Sequence, residues 1–274
     1  MKMSSVRLYC VLALLLLTTA SPALAQFKPQ SVNEPPTGER FGIEGFAGFW
    51  SPAADMVISS ESLGIPGSRI DFKKDLLLQD HKIRDLRITG KVGRKHKFRF
   101  QTVPINYDNE GVTVKRDIVF NGQRYSVGVP VNWVTEWQTY RFGYEYDFLV
   151  KSWGFAGLLA EAKYTDVTAR LATPFFSEFV QAQAPIPSIG GIARVYIVPN
   201  VSITGELSGF KLPESVREGY RAHYADLDIF GTVNFNRFVG AQVGWRSLDV
   251  GYLVDEDFGN FDVRGMYFGI VARY

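Results

Sequence analysis

Thirteen charged residues sit at strand-like spacing and could do chemistry together: Glu44, Arg87, Lys91, Arg99, Arg141, Glu145, Asp147, Glu161, Lys163, Glu206, Asp226, Asp228 and Arg246. They alternate with apolar neighbours. In the run from Tyr140 to Phe148, Tyr140, Phe142, Tyr144, Tyr146 and Phe148 take every second position, with Arg141, Gly143, Glu145 and Asp147 between them. A strand has a side-chain period of two, so the charges share one face and the aromatics the other. Charges of both signs on one enclosed face permit two things. They can neutralise one another in a paired interior network, which buried charges need if they are not to be costly, or they can line a polar path for small solutes.

Catalytic chemistry has fewer residues to draw on. The histidines are His81, His96 and His223. His96 ends the run Gly93-Arg-Lys-His, which reads as a solvated turn. His223 precedes Asp226-Leu-Asp228, a weak acid–base pattern, and neither His223 nor His81 has a serine partner in sequence. Cys10 is the single cysteine. It precedes the apolar core of a leader, so lipidation there is not expected, and the mature chain has no thiol chemistry, disulfide or cysteine-based metal site. Three scattered histidines offer no metal spacing, and no cofactor is expected. Lys73 and Lys74, within Arg69-Ile-Asp-Phe-Lys-Lys-Asp75, could engage lipopolysaccharide phosphates, against the simpler reading of a solvated charged loop. Phe175, Phe176 and Phe179 read as a loop cluster packed on a rim.

These residues must be positioned by something. Lys2 and Arg7, an apolar run over 11–17 and Ala23-Leu-Ala25 predict a signal peptide over 1–25, with the mature chain starting at Gln26. The apolar run is too short to span a bilayer as a helix. Of 30 basic and 28 acidic residues the leader carries two basic and no acidic ones, leaving 28 of each. That balance gives no attraction to nucleic acid. A mean hydropathy of −0.04 without an apolar 18-mer excludes a helical membrane protein. A transmembrane barrel is compatible with it, because its strands alternate lipid-facing and lumen-facing residues.

Residues 26–38 contain Pro29, Pro35 and Pro36 and predict a polar lead-in, leaving 39–274 for the barrel. Alternating segments are predicted over 39–50, 82–92, 97–107, a stretch ending near 148, 154–168, 190–198, 201–210, 226–234, 239–250 and 261–274. Long loops are predicted over 51–81, 172–188 and 211–223, with a short one over 255–260. The stretch over 106–137 reads as the same hairpin continued above the membrane, Asn121-Gly122 predicts a tight hairpin turn within it, and Pro104 predicts a bulge or a register change. The count is ten strands, within eight to twelve, in an all-β antiparallel up-and-down transmembrane barrel. An even number returns both termini to one side.

The last nine residues, Met266-Tyr-Phe-Gly-Ile-Val-Ala-Arg-Tyr274, place Phe268, Ile270 and Tyr274 on one strand face and end on an aromatic. This ending resembles the C-terminal assembly signal of bacterial outer-membrane β-barrels. The whole chain is similar in pattern to the small outer-membrane barrels, including the OmpA-like and OmpW-like groups. The resemblance implies secretion through the inner membrane with signal cleavage, insertion by the barrel-assembly machinery, and contact with outer-membrane lipid and lipopolysaccharide. A monomer is favoured. A rim histidine near aspartates is similar in outline to the omptin proteases, and lipid A deacylases and palmitoyltransferases are also barrels with a histidine and a nearby serine. No functional motif of these families matches.

The resulting expectation is a non-enzymatic barrel with an occluded, charge-paired lumen, whose external loops serve surface binding or envelope structure. Eight strands make an interior just filled by side chains and open channels need about sixteen, so ten lie near the filled case. The alternatives are a narrow pore for small solutes and, third, an envelope hydrolase.

Overall fold

The computed structural model describes Pro36, Glu39 and residues 41–274 apart from 63, 213–218 and 255–256. The expected signal segment and all of the lead-in but Pro36 lie outside the described residues.

In chain order the strands are β1 (Ile43–Ser59), β2 (Ile70–Asp71), β3 (Ile83–Val92), β4 (His96–Thr102), β5 (Ile105–Thr113), β6 (Ile118–Phe120), β7 (Gln123–Tyr125), β8 (Pro130–Lys151), β9 (Gly154–Ala172), β10 (Ser177–Val198), β11 (Val201–Leu212), β12 (Tyr220–Asn234), β13 (Val239–Val254) and β14 (Asp257–Arg273). Ten staves form the wall: β1, β3, β4 continued by β5, and β8 through β14. The chain breaks between β4 and β5 at Val103-Pro104, where a ladder N–H is missing. β14 returns to pair with β1, from Glu44↔Arg273 to Ser59↔Phe258. The sheet is therefore a closed antiparallel barrel without a free edge along that seam. Where all ten staves are paired, closure satisfies the backbone groups of the wall without help from solvent.

β2 pairs with the far end of β1. β6 and β7 make a separate hairpin turned by Asn121 (φ 49°) and Gly122 (φ 78°). Two left-handed residues in a two-residue loop form the turn whose twist matches its strands.

The staves run well past the expected boundaries. β1 continues to Ser59 instead of entering a loop at residue 51, because β14 keeps pairing with it. Its pairing with β3 ends at Trp50↔Ile83, so Pro52 costs no ladder bond on that side. The predicted loop over 172–188 is a hairpin: β9 reaches Ala172, β10 begins at Ser177, and Pro185 and Pro187 pair with Tyr164 and Ala162. β11 meets β10 only from Ile189 onward, so both prolines lie where β10 is an edge strand. Thr173 closes that turn, its Oγ1 accepting the Phe176 N–H at 3.2 Å. The expected cluster of Phe175, Phe176 and Phe179 does not form as a unit. Phe176 packs on the Tyr125 ring, while Phe175 and Phe179 are exposed. The short loop over 255–260 shrinks as well, since β14 begins at Asp257 and Asn260 pairs with Gly251.

β8 and β10 each have 22 residues, about twice what a tilted crossing requires. The surplus length projects away from the end that carries the C-terminus. At the terminal end an outward belt of Phe49, Phe142, Leu158, Ile203, Val243, Phe268 and Ile270 is exposed. At the far end the pattern inverts. Trp133, Trp137, Tyr107, Phe72, Met56 and Leu76 are buried in a continuous apolar core, to which the 60–82 segment and the β6–β7 hairpin contribute.

Candidate functional site

The terminal half of the barrel positions the charges. On β8, period two turns Arg141, Glu145 and Asp147 inward, and Phe142 outward. Arg141 reaches carboxylates on three other staves. It pairs with Glu161 of β9, with Glu206 of β11 at 2.5 Å and with Asp226 of β12 at 3.1 Å. A planar guanidinium with five donors suits this task; an ammonium has only three. Arg246 of β13 holds the same Asp226 through two bonds of 2.9 and 2.7 Å. Lys163, with no solvent exposure, pairs with Glu161 at 3.0 Å and donates to Ser208 Oγ at 3.0 Å, its Nζ lying over the Tyr224 ring.

The network continues toward the terminal mouth. Arg99 pairs with Glu206 at 2.6 Å, and Lys97 with Glu145 at 2.5 Å and Asp147 at 2.9 Å. Arg87 pairs with Asp85 at 2.6 Å and Asp228 at 3.0 Å, between the rings of Phe46 and Tyr267 at 4.7 Å each. Tyr267 donates to Asp228 at 2.8 Å. Arg273 of the final strand pairs with Glu44 of the first at 2.5 Å across the closing seam. Lys91 pairs with Glu39 at 3.0 Å. Nine of the thirteen charges singled out by spacing join one set of ion pairs around Arg141, while Arg87 with Asp228, Lys91 and Glu44 belong to three separate ones.

Several further members of these interior networks carry the same strand-phase signal in the sequence. Asp85, Lys97 and Gln101 share the phase of Arg87 and Arg99. Tyr267 shares that of Arg273. Glu39 carried a misleading signal, because in the predicted 39–50 segment it shares the phase of Phe41 and Phe49, whereas it precedes β1. It is held by Lys91, by Arg194 at 3.1 Å and by the Tyr196 hydroxyl. Burial works against its ionisation, but Arg194, Lys97 and Lys91 outweigh it and hold the carboxyl down at about 2.

The remaining candidates lie outside the network. Lys73 is 4.0 Å from Asp80, and Lys74 pairs with Asp71 at 2.8 Å; both lysines belong to the far-end segment. Phe268 and Ile270 point outward in the belt, and Tyr274 is almost fully exposed. Its backbone N–H donates to Ile43 O at 2.8 Å. His96 is bonded to the Tyr144 hydroxyl at 2.6 Å, and His81 lies edge-on to the Tyr107 ring. His223 meets Asp249 at 3.2 Å, and both are about half exposed. Among the described residues no three His, Cys, Asp or Glu side chains converge as metal ligands.

The outer membrane protease OmpT of Escherichia coli superposes on this chain with a TM-score of 0.54 at 8% identity, covering 89% of this chain and all of OmpT. The fold is that of an outer-membrane β-barrel. A FadL homologue of Pseudomonas aeruginosa aligns at a TM-score of 0.39 and 9% identity, over 90% of this chain and 94% of its own. The toluene transporter TodX of Pseudomonas putida aligns at 0.34 and 7%, over 93% and 92%. No family model and no curated protein matches the sequence. The shared barrel is a likeness of backbone, and at these identities it transfers no site residue.

Proposed function

We propose that this chain resides in the bacterial outer membrane after signal cleavage, as a non-conducting barrel that serves the envelope through its external surface. The terminal end faces the periplasm and the far end the outside. The observation that carries this reading is Arg141, which draws Glu161, Glu206 and Asp226 from three staves onto one guanidinium at the middle of the barrel. Ion pairs that cross between non-adjacent staves fill the interior of a ten-stave barrel. The apolar core at the far end supports closure from the other side.

On this reading the folded outer segments, with Lys73 and Lys74 among them, meet lipopolysaccharide phosphates or another surface partner. His223 and His81 have no catalytic task. His223 lies on the outward face with Asp249, and His81 packs against Tyr107.

Liposome swelling in solutions of small sugars and amino acids tests the reading. Proteoliposomes should swell no faster than empty ones, and size-dependent swelling would replace this reading with that of a narrow pore. Recovery in the outer-membrane fraction with heat-modifiable gel migration is expected, and soluble periplasmic protein would refute the placement.

A further inference from the structure

A cavity of about 470 Å³ opens at the terminal mouth, between the β3–β4 turn, the β8–β9 turn and the start of β1. That volume lies within the range of small-molecule sites. Phe41, Val150 and Phe155 give it apolar wall, and Arg94 and Lys151 stand at its margin. Among the described residues neither Arg94 nor Lys151 has a hydrogen-bond or ion-pair partner, in contrast to the paired cations of the interior. The inner wall already holds an anion. The carboxylate of Glu39 is bound there by Lys91, by Arg194 and by the Tyr196 hydroxyl, and the Lys91 ammonium also donates to the Glu39 carbonyl at 3.0 Å.

We propose that this mouth is a binding vestibule for a small amphipathic anion, a carboxylate or phosphate carrying an apolar group. Arg94 and Lys151 receive the charge, and Phe41, Val150 and Phe155 the apolar part. Glu39 shows which chemistry the inner wall recognises and sets how much positive charge is left for a ligand. The polarity of the turns agrees. The turns β3–β4, β8–β9 and β12–β13 carry Arg94, Lys95, Lys151 and Arg237 and no acidic residue. Asp147 also lines the cavity but is paired with Lys97 at 2.9 Å, so the charge left unpaired at the mouth is of one sign. This inference goes beyond the envelope role proposed above and does not need a closed lumen. It requires only that the mouth be reachable from the terminal side.

Calorimetric titration of the full mature protein, folded in nonionic detergent, tests it with benzoate as probe and with benzyl alcohol and inorganic phosphate as controls. Saturable benzoate binding is expected, with both controls at least tenfold weaker. R94A/K151A should weaken benzoate at least tenfold while keeping heat-modifiable migration. If that double variant fails to fold, R94Q and K151Q taken singly make the same comparison. E39Q, which frees Lys91 and Arg194 of their carboxylate, should bind benzoate several-fold more tightly. Repeating the titration in nanodiscs separates the sources. Binding lost only with phosphatidylglycerol present identifies a lipid headgroup as the anion, and binding kept in phosphatidylcholine and phosphatidylglycerol alike identifies a free solute. No saturable benzoate binding, equal affinity for benzyl alcohol, or an unchanged affinity in the folded Arg94 and Lys151 variants would overturn the proposal.

Discussion

The two halves of one barrel have interiors of opposite chemistry, and β8 shows the change within a single strand. Toward the terminal end it turns Phe142 out and Arg141, Glu145 and Asp147 in. Toward the far end the same two faces carry Glu136 outward and Trp133 and Trp137 inward. β9 repeats the inversion. Leu158 and Tyr164 are outward with Glu161 and Lys163 inward, and then Arg170 is outward with Ala169 and Leu171 inward. The solvent outside the wall decides which arrangement holds. Where the outer face meets hydrocarbon it must be apolar, so register needs a contrasting polar interior, and the charges there must be paired. Where the outer face meets water, the ordinary hydrophobic effect fills the interior with aromatic and aliphatic side chains. One interior is held by directional ion pairs and the other by packing.

The largest expected effect comes from removing the cation shared by three staves. R141A leaves Glu161, Glu206 and Asp226 short of a partner and should cost about 3–5 kcal/mol, as for the loss of one member of a buried pair. Urea unfolding followed by the change in gel migration measures it. R141K keeps the charge without the fork and should recover only part of the loss. In the far half, W133A removes a buried indole and its bond to Leu76 O at 2.7 Å, for about 3–5 kcal/mol. The effects differ in place more than in size. R141A should loosen the whole barrel, whereas W133A should raise protease sensitivity in the 60–82 segment and leave the belted half intact. If both variants gave the same digestion pattern, the division into two interiors would fail.

Much of this was legible in the sequence. The dyad strands, the Asn121-Gly122 turn, the break at Pro104 and the ten staves all follow from local period and turn chemistry. The charged interior followed too, because any residue in phase with Arg141 or Lys163 has to face the same way. The length of the staves was not legible, for a physical reason. The inversion of polarity ends the apolar-outward signal at Tyr164, and a reading tuned to lipid-facing residues then sees a loop over 172–188 where β9 and β10 continue, although the stretch over 106–137 did read as a hairpin carried on past the membrane. Trp133 and Trp137, four apart and so on one face, with Glu136 on the other, carried that information. Pro52, Pro185 and Pro187 added to the error, since a proline signals a break unless one knows that the strand has an edge there. Glu39 was turned the wrong way by period, since a strand starting at residue 39 places it outward with Phe41 and Phe49.

A smaller effect concerns the terminal mouth. Glu39 titrates at about 2 when folded, against an ordinary value of 4.5. The folded chain therefore binds fewer protons at this site than the unfolded chain. The stabilisation is complete above about pH 4.5 and is lost as pH falls through about 2. E39Q should remove that share of the acid dependence in detergent-solubilised protein. An unchanged acid profile would mean that Glu39 is no part of the terminal closure.

Deleting Tyr274 should reduce the assembled yield in cells far more than the stability of barrel already folded, because its side chain is exposed while its backbone joins the closing seam. A proportional loss of both would make it an ordinary structural contact. The smallest effect is expected at the surface. K73A/K74A breaks only exposed, solvent-screened pairs and should leave stability unchanged while weakening retention on immobilised lipopolysaccharide. Equal retention would remove these lysines from the outer surface site.

The most direct measurement is the current across a planar bilayer containing the purified wild-type barrel. With both closures in place no unitary step is expected at moderate voltage, and R141A alone should still show none while the far-half core remains folded. A stable unitary conductance from the wild-type protein would contradict the double closure and establish a continuous water path along the paired charges.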